Sequence, residues 1–209
     1  MKLTIKICGM REDSNIRAAA ELKPDILGFI FYNKSPRFAG ELLNPCTISS
    51  LGKGISKAGV FVNADLRVIS DTIQKYSLDM VQLHGEEPPE LCLRLQDRGL
   101  RVIKTFNING ATQFRLISRY ISCTDYFLFD TASKRYGGSG QKFDWTILHS
   151  YDLGHPFFLG GGIGPADAAI IKEINNPSFH GVDLNSRFES EPGLKNIEIL
   201  KGFINDLRH

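Results

Sequence analysis

The chain has 209 residues, of which 42% are hydrophobic and 23% are charged, a composition typical of a globular domain large enough to bury a core. Its 25 basic and 23 acidic side chains leave a formal net charge of +2. No block of like charges concentrates that charge, so the composition does not favour a nucleic-acid or membrane-surface partner. Disordered and collagen-like classes are excluded as well.

The four cysteines lie far apart in the sequence. Cys8, Cys46, Cys92 and Cys123 form no CxxC pair, which argues against a zinc site and a disulfide framework. The histidines form no HxH or HExxH group, and we predict no metal site. The first apolar stretch is too short for a secretory signal, and no window of about 18 apolar residues spans a bilayer. These features predict a cytoplasmic protein with no membrane partner.

Eight short apolar or β-branched runs recur along the chain, and each is predicted to form a strand. In chain order they are Leu3–Ile7, Asp25–Phe31, Ala58–Val62, Asp79–Leu83, Arg101–Phe106, Asp125–Phe129, Pro156–Leu159 and Gly181–Leu184. Helical spacing follows in Leu66–Tyr76 and Ile197–Leu207. Pro88 and Pro165 suit first-turn positions of two more helices, whereas the proline and glycines of Asn44–Ser56 allow only a short helix.

The spacing of these runs predicts the architecture. Successive strands start roughly 21 to 33 residues apart, enough for a strand, a helix and two short loops, and such crossovers imply parallel pairing. Eight units favour a single (β/α)8 TIM barrel over residues 1–209. The alternative is an open doubly wound sheet, which usually has a Gly-rich dinucleotide loop after its first strand. This chain has Cys8 to Arg11 there instead.

Polar side chains and glycines follow several predicted strands. In a (β/α)8 barrel the active site lies at the carboxyl ends of the strands, so these residues are the candidate site. They are Cys8, Arg37, Asn63, His84, Asp130, Gly160, Gly161, Gly162, Asn185 and Ser186.

Cys8 ends the first predicted strand. Alternation places Lys6 and Cys8 on one face and Ile5 and Ile7 on the other, so we expect the thiol to face the barrel interior. Lys6 is a candidate to lower the thiol pKa and favour a thiolate, or to pair with Asp183 instead. A small buried hydrophobic cysteine is the competing interpretation.

Asp130 follows an apolar strand, where partial desolvation raises a carboxyl pKa and keeps the proton that a general acid requires. Capping of the next loop is equally consistent with its position. The long polar segment Ala132–Phe143 comes next, and its glycine-rich composition is typical of a mobile lid.

The glycine run Gly160 to Gly162 precedes Pro165 and is predicted to present backbone N–H groups to a phosphate near a helix N-terminus. Asn185 and Ser186, after the eighth strand, add donors where such barrels often bind phosphate. A tight turn is the alternative interpretation. The run matches neither a Walker A loop nor GxGxxG, so no nucleotide is implied.

Arg37 lies next to a rigid proline and is a candidate to clamp a carboxylate through two hydrogen bonds. His84, at the end of the fourth strand, is a candidate donor to a substrate. A surface arginine and a histidine bound to a backbone carbonyl are the alternatives.

Eight segments in this order resemble the phosphoribosylanthranilate isomerase family, and together they span nearly the whole chain. They are KICGM at 6–10, DILGFIFYNKSPR at 25–37, GVFVN at 59–63, VQLHGEE at 81–87, FD at 129–130, GGSGQKFDW at 137–145, GGGI at 160–163 and GVD at 181–183.

The resemblance implies a cofactor-independent Amadori rearrangement of N-(5-phosphoribosyl)anthranilate, a phosphosugar substrate, in tryptophan biosynthesis. It implies Asp130 as the acid that opens the ribose ring and Cys8 as the base that removes the C2′ proton. It also implies Arg37 at the anthranilate carboxylate and the glycine and serine loops at the phosphate. We further predict His84 and Asp183 as substrate-binding residues. A monomer and a homodimer are both consistent with the family.

The chain departs from the family after GVD. The family usually reads Ser-Ser-Gly-Val there, whereas this chain has Asn185, Ser186, Arg187 and Phe188. The missing glycine is expected to alter how backbone N–H groups meet the phosphate. Arg187 either adds a charged contact or points outward.

Two rival functions remain at this point. Another phosphosugar barrel is one, either a pentose-phosphate epimerase with metal-binding histidines or an indole-forming synthase with a catalytic lysine, for which Lys104 is a candidate. A barrel without catalytic activity that acts as a binding module is the other.

Overall fold

The computed structural model describes residues 3–40, 42–108, 114–131 and 143–209. Eight parallel strands among them close into a barrel in chain order, with the last paired to the first. The strands are β1 (Thr4–Ile7), β2 (Ile26–Ile30), β3 (Ser56–Phe61), β4 (Met80–Leu83), β5 (Arg101–Ile108), β6 (Tyr126–Thr131), β7 (Phe157–Leu159) and β8 (Phe179–Leu184). The predicted (β/α)8 barrel is confirmed, and the open-sheet alternative is wrong.

Helical segments connect the strands. The α-helices are α1 (Asp13–Ala20), α2 (Pro45–Ser49), α3 (Leu66–Tyr76), α4 (Pro89–Gln96), α5 (Phe114–Ile117), α6 (Ala168–Lys172) and α7 (Ile197–Arg208). Short 3₁₀ segments at Ser118–Cys123, Trp145–Ser150, Pro165–Asp167 and Ser186–Phe188 complete the connections.

The local signals in the sequence account for several helix ends. The second unit has only the five-residue helix α2, as predicted, and the Asn44 side chain caps it by accepting the Cys46 N–H. Pro165 opens its 3₁₀ turn, and α4 begins at Pro89, one residue after the predicted Pro88. Apart from Phe143, the segment predicted as a lid lies outside the described residues.

Two apolar layers hold the barrel together. A large cluster between strands and helices includes Phe29 and Leu83. A smaller cluster fills the barrel interior with Ile26, Ala58, Met80, Ile103, Leu128 and Phe158. Full burial of the larger of these side chains, such as Leu128 and Phe158, stabilises the fold by roughly 1.5–3 kcal/mol each. The interior layer closes the barrel beneath the carboxyl ends of the strands.

The interior becomes polar one layer higher. Strand alternation places Gln82 two residues beyond Met80 and Asp130 two residues beyond Leu128, on the same inward face. Gln82 donates a hydrogen bond of 3.2 Å to the Thr105 hydroxyl on the next strand. The change from apolar to polar along the strands therefore defines a site at their carboxyl ends.

A small hairpin follows β8 before α7. It consists of β9 (Glu189–Glu191) and β10 (Leu194–Lys195), and its turn uses Gly193 at a φ of +89°. The Asn15 side chain on α1 bonds both the N–H and the carbonyl of Lys195, at 2.8 and 2.9 Å. These bonds fix the hairpin against the first helix of the barrel.

Candidate active site

A cavity lies at the carboxyl ends of the strands and has an enclosed volume of about 50 Å³. Most of the predicted site residues line it, namely Cys8, His84, Asp130, Gly161, Gly162, Asp183, Asn185 and Ser186. Arg37, Asn63 and Gly160 are not among its lining residues. The cavity opens to solvent through a mouth at the carboxyl ends of the strands.

Cys8 lies at the end of β1 with its thiol directed inward, as predicted, and is 3% exposed. The absence of a side chain at Gly28 makes room for it, because a Cβ there would lie 2.9 Å from the Cys8 Sγ. Burial raises the pKa of the thiol above its ordinary value, and the charges of Lys6 and Lys195 oppose that shift without cancelling it. Lys6 therefore acts on the thiol pKa in the predicted direction, but burial outweighs its effect.

Lys6 forms the ion pair that was the alternative interpretation. Its Nζ lies 2.7 Å from Asp183 Oδ1, and the lysine side chain is fully buried. Burial lowers the Lys6 pKa, but the neighbouring carboxylate more than offsets this and the pKa stands above its usual value. The ammonium therefore remains charged beneath the cavity.

Asp130 occupies the inward face of β6 near the strand end. Burial raises the pKa of its carboxyl to about 6, while the hydrogen bond from the Thr131 N–H opposes the shift. That bond is 2.7 Å long, so Asp130 also has the local capping contact that the sequence left open. The raised pKa agrees with the prediction and leaves an appreciable protonated fraction near neutral pH.

His84 faces Asp130 across the cavity, with its Nε2 3.5 Å from Asp130 Oδ2. Burial lowers the pKa of the imidazole to about 3, and the positive charges of Lys104 and Lys6 contribute. His84 is consequently neutral at physiological pH. Its contact with Asp130 is a weak polar contact rather than an ion pair.

The glycine run divides into two parts. Gly160 donates its N–H to the Phe129 carbonyl at 2.8 Å, so this donor belongs to the barrel and is not free for a phosphate. Gly161 and Gly162 line the cavity with φ angles of +75° and +72°, a conformation that glycine adopts without strain. Their N–H groups donate no backbone hydrogen bond within the described parts of the chain.

The helix N-terminus predicted after the glycine run contributes little. The next residues form a 3₁₀ turn and then the five-residue α6. The Gly164 N–H donates to the Asp167 carboxylate at 2.6 Å, which occupies the first donor of that turn. The phosphate candidates on this side are therefore Gly161 and Gly162.

The segment that departs from the family pattern forms a 3₁₀ turn at Ser186–Phe188. Asn185 and Ser186 line the cavity. Phe188 is buried and packs against Phe203 of α7 with ring centroids 4.9 Å apart. Arg187 is exposed, and a Cβ at Gly164 would lie 3.1 Å from its Cδ, so its stem lies beside the loop that carries the glycine run.

Arg37 is buried rather than exposed on the surface, so the surface interpretation is wrong. Its Nε and Nη2 bond the Glu189 carboxylate at distances of 2.7 to 3.0 Å. Glu189 therefore occupies one edge of the guanidinium group that was predicted to bind a carboxylate. The hydrogens on Nη1 are not used by Glu189.

Three buried polar residues at the site were missed. Gln82 lines the cavity, and its Oε1 has no hydrogen-bond partner among the described residues. Glu189 and Lys195 form a buried pair at 2.5 Å. Gln82 lies inside the VQLHGEE segment and was detectable by strand alternation, whereas nothing in the local sequence marks Glu189 or Lys195 as buried.

Lys104 does not face the cavity. Its neighbour Ile103 belongs to the interior cluster, so alternation places Lys104 on the outward face of β5. Its Nζ lies 3.0 Å from Glu87 and 2.7 Å from the Gly85 carbonyl. A structural ion pair accounts for this lysine, which removes the residue that favoured a synthase.

Neither a metal-ligand cluster nor a membrane-spanning helix occurs in the parts of the chain that the structure describes. They contain no group of three or more His, Cys, Asp or Glu side chains arranged to hold a metal ion. They also contain no helix with the length and apolar character needed to cross a membrane.

The closed barrel, with its ionisable side chains around a cavity at the carboxyl ends of the strands, has the architecture of a (β/α)8-barrel enzyme. A model of the family described as N-(5′-phosphoribosyl)anthranilate (PRA) isomerase matches residues 5–206. The chain belongs to this family. It is an enzyme, an isomerase of tryptophan biosynthesis.

Sequence relatives extend over almost the full chain. An N-(5′-phosphoribosyl)anthranilate isomerase from Parabacteroides distasonis is 46% identical over 99% of this chain and 94% of the relative. One from Phocaeicola vulgatus is 40% identical over 99% of this chain and 98% of the relative.

Solved structures give the same result. The phosphoribosylanthranilate isomerase of Thermus thermophilus superposes with a TM-score of 0.84 at 26% identity, over 98% of both chains. Another isomerase structure, in complex with reduced 1-(o-carboxyphenylamino)-1-deoxyribulose 5-phosphate, has a TM-score of 0.83 at 30% identity over 98% of both chains.

Proposed function

We propose that this chain converts N-(5-phosphoribosyl)anthranilate to 1-(2-carboxyphenylamino)-1-deoxyribulose 5-phosphate, with Asp130 as general acid and Cys8 as general base. The observation that carries the proposal is that these two side chains line one cavity. The reaction moves hydrogen within one molecule, so it needs no external oxidant or reductant.

Asp130 acts first in this scheme. Its carboxyl proton goes to the ribose ring oxygen, the bond from C1′ to that oxygen breaks, and the anthranilate nitrogen supplies the electron pair that forms a Schiff base. A pKa of about 6 supports this role, because a carboxyl with an ordinary pKa would be almost fully ionised at neutral pH.

Cys8 acts second. Its thiolate takes the C2′ proton of the Schiff base, which leaves an enolamine that tautomerises to the ketone. Burial raises the thiol pKa, and the positive charges of Lys6 and Lys195 oppose this effect. These cations support the proposal, because they stabilise the anionic form on which a thiol base depends.

The remaining contacts bind the two ends of the substrate. The phosphate is held by the backbone of Gly161 and Gly162 together with Asn185 and Ser186. At the other end, the edge of Arg37 that Glu189 leaves unused binds the anthranilate carboxylate. His84 and Asp183 line the space between and contact the ribose portion.

Turnover of N-(5-phosphoribosyl)anthranilate by the purified protein tests the proposal. We expect activity without added metal and no effect of a chelator. Cys8→Ser and Asp130→Asn should each lower kcat by about 10²- to 10⁴-fold, the usual contribution of a general acid or base. Rescue of a tryptophan-requiring strain that lacks this isomerase provides an independent test.

Cys46→Ser and Asp71→Asn are the matched controls, because both residues are exposed and lie outside the cavity. Near-normal turnover by folded Cys8→Ser and Asp130→Asn would overturn the assigned roles. Activity that disappears with chelator and returns with zinc or manganese would overturn the mechanism as a whole.

A further inference from the structure

Three charged side chains form a buried cluster beside the mouth. Arg37 bonds both oxygens of Glu189, and the Lys195 Nζ lies 2.5 Å from Glu189 Oε1. The Gly193 N–H is a fourth donor to this carboxylate and bonds the same Oε1 at 3.1 Å. Lys195 is fully buried, Glu189 is 3% exposed and Arg37 is 10% exposed, by side chain. The carboxylate is thus saturated, and its two cations are held in fixed positions.

The cluster reaches the cavity through two contacts. Lys195 Nζ donates to Asn185 Oδ1 at 2.8 Å, which orients an amide that lines the cavity. Gly9, the residue after Cys8, has a φ of +79°, and a Cβ there would lie 2.7 Å from Asn185 Oδ1 and 2.9 Å from Arg37 Cδ. Both side chains therefore lie directly over the end of β1.

The charges of the cluster do not cancel. Burial raises the Glu189 pKa, but its bonds with Arg37 and Lys195 outweigh burial and keep the pKa below its ordinary value. Burial lowers the Lys195 pKa, and Glu189 opposes that change. Because two cations share one ionised carboxylate, one net positive charge remains beside β1. By contrast, the Lys6–Asp183 pair is neutral overall.

The geometry points to Glu189 and Lys195 as positioning residues of the isomerase site. Glu189 holds the Arg37 guanidinium, Lys195 holds the Asn185 amide, and the unbalanced positive charge of their cluster stabilises the Cys8 thiolate. This assignment rests on the proposed function for its effect on turnover, but its electrostatic part concerns Cys8 alone.

Several other charged or titratable groups lie around Cys8 on its own and other strands. Lys6 lies on the same strand and Asp183 on the neighbouring β8, while His84 and Asp130 face the cavity from β4 and β6. Variants at Glu189 and Lys195 leave all four in place. Any change in the titration of Cys8 is then a response to the altered cluster.

The pH dependence of Cys8 alkylation by iodoacetamide, followed by mass spectrometry in a Cys46→Ser background, measures this response. Lys195→Met removes a positive charge and should move the alkylation midpoint to higher pH. Glu189→Gln removes a negative charge and should move it to lower pH. We expect at least about one pH unit in each direction, since a unit charge within about 12 Å contributes that much at an effective dielectric constant of about 20.

Turnover gives the second readout. Glu189→Gln releases Arg37 from its carboxylate, so KM for N-(5-phosphoribosyl)anthranilate should rise, while kcat should not fall because the thiolate fraction of Cys8 increases. Lys195→Arg keeps the charge and should keep the alkylation midpoint near that of the parent protein, and it remains informative if Lys195→Met fails to fold. The controls are Glu191→Gln and Lys201→Met, which alter exposed residues outside the cavity.

Midpoints that shift in opposite directions support the assignment, since a general loosening of the fold would move both variants the same way. Shifts of the same sign, or none in folded Glu189→Gln, would overturn it. Failure of the proposed function is distinguishable: the parent protein would then show no turnover while the alkylation shifts persisted.

Discussion

The two sides of the cavity mouth place a buried acidic side chain in different electrostatic surroundings. On the side of β1 and β8, Cys8 lies close to the buried ammonium groups of Lys6 and Lys195. On the side of β4 and β6, Asp130 faces the neutral imidazole of His84. Burial raises the pKa of both acids. The same physical effect thus favours a proton donor and disfavours a thiolate base. Lys6 opposes the rise in both pKa values, and Cys8 has Lys195 as a second opposing cation.

This contrast explains why charge is buried so unevenly in the barrel. A general acid needs only the apolar end of a strand, which removes water from its carboxylate form. A thiolate in the same cavity needs compensating positive charge, and a buried lysine is itself costly unless it is paired. Lys6 and Lys195 therefore each have a carboxylate partner, Asp183 and Glu189 respectively.

The largest expected effect is a loss of stability when a buried lysine is removed from its ion pair, either Lys6 inside the barrel or Lys104 outside it. Lys6→Met leaves Asp183 unpaired and Lys104→Met leaves Glu87 unpaired, so each should lower the free energy of unfolding by about 3–5 kcal/mol. Only Lys6→Met removes a charge next to Cys8. It alone should also reduce kcat/KM when both variants are assayed below the onset of urea unfolding.

Urea titrations of both variants, with Lys53→Met as an exposed control, separate stability from activity. An equal loss of kcat/KM in folded Lys104→Met would mean that lysine charge beside the thiol has no special role. That result would remove the contrast between the two sides.

Adding a methyl group beside each acid tests the two sides separately. A Cβ at Gly28 would lie 2.9 Å from Cys8 Sγ, and one at Gly161 would lie 2.6 Å from Asp130 Oδ1. Each alanine variant should lower kcat/KM by about 10²-fold, the cost of displacing a reacting group by about 1 Å. Gly161→Ala should also lower the thermal midpoint, because its φ of +75° is strained for alanine.

Gly52→Ala is the matched control, since a Cβ there meets nothing within 4 Å. The pH profile assigns each effect to its side: Gly28→Ala should alter the alkylation of Cys8 and leave the titration of Asp130 in place, and Gly161→Ala should do the reverse. Full activity in both variants would show that the observed packing does not fix the two acids.

The sequence predicted much of this arrangement because it depends on periodicity. Alternation placed Cys8 inward, and the position of Asp130 after four apolar residues indicated desolvation; both expectations agree with the geometry. The strand ends carried most of the candidate site for the same reason, since the barrel brings all carboxyl ends to one face.

What the sequence did not predict depends on contacts between distant segments. Glu189 and Arg37 are 152 residues apart, and neither has a local pattern that identifies the other as its partner. The raised pKa of Cys8 was not predicted, because the sequence shows the neighbouring Lys6 but not the extent of burial. The Gly160 N–H was predicted to bind a phosphate, but it donates to the Phe129 carbonyl instead. That acceptor becomes its neighbour only through the pairing of β6 with β7, which the local sequence does not reveal.

The pH dependence of kcat/KM is the smallest expected effect, about tenfold per pH unit. It depends on the protonation states of both Asp130 and Cys8. In the proposed mechanism, the active form has Asp130 protonated and Cys8 ionised. Below the Asp130 pKa of about 6, activity should rise tenfold per unit with pH, because the thiolate fraction rises while Asp130 stays protonated. Above that pKa the two fractions change in opposite directions and a plateau follows, until the Cys8 pKa, raised by burial, begins the decline.

Two variants assign the bend near pH 6. His84→Gln should leave it in place, because a histidine whose pKa is lowered to about 3 is already neutral there and its loss removes no charge. Asp130→Asn should abolish the bend in its residual activity. If the bend survives in Asp130→Asn, it belongs to the substrate phosphate, whose second ionisation also lies near 6, and the acid side then lacks the titration that distinguishes it from the base side.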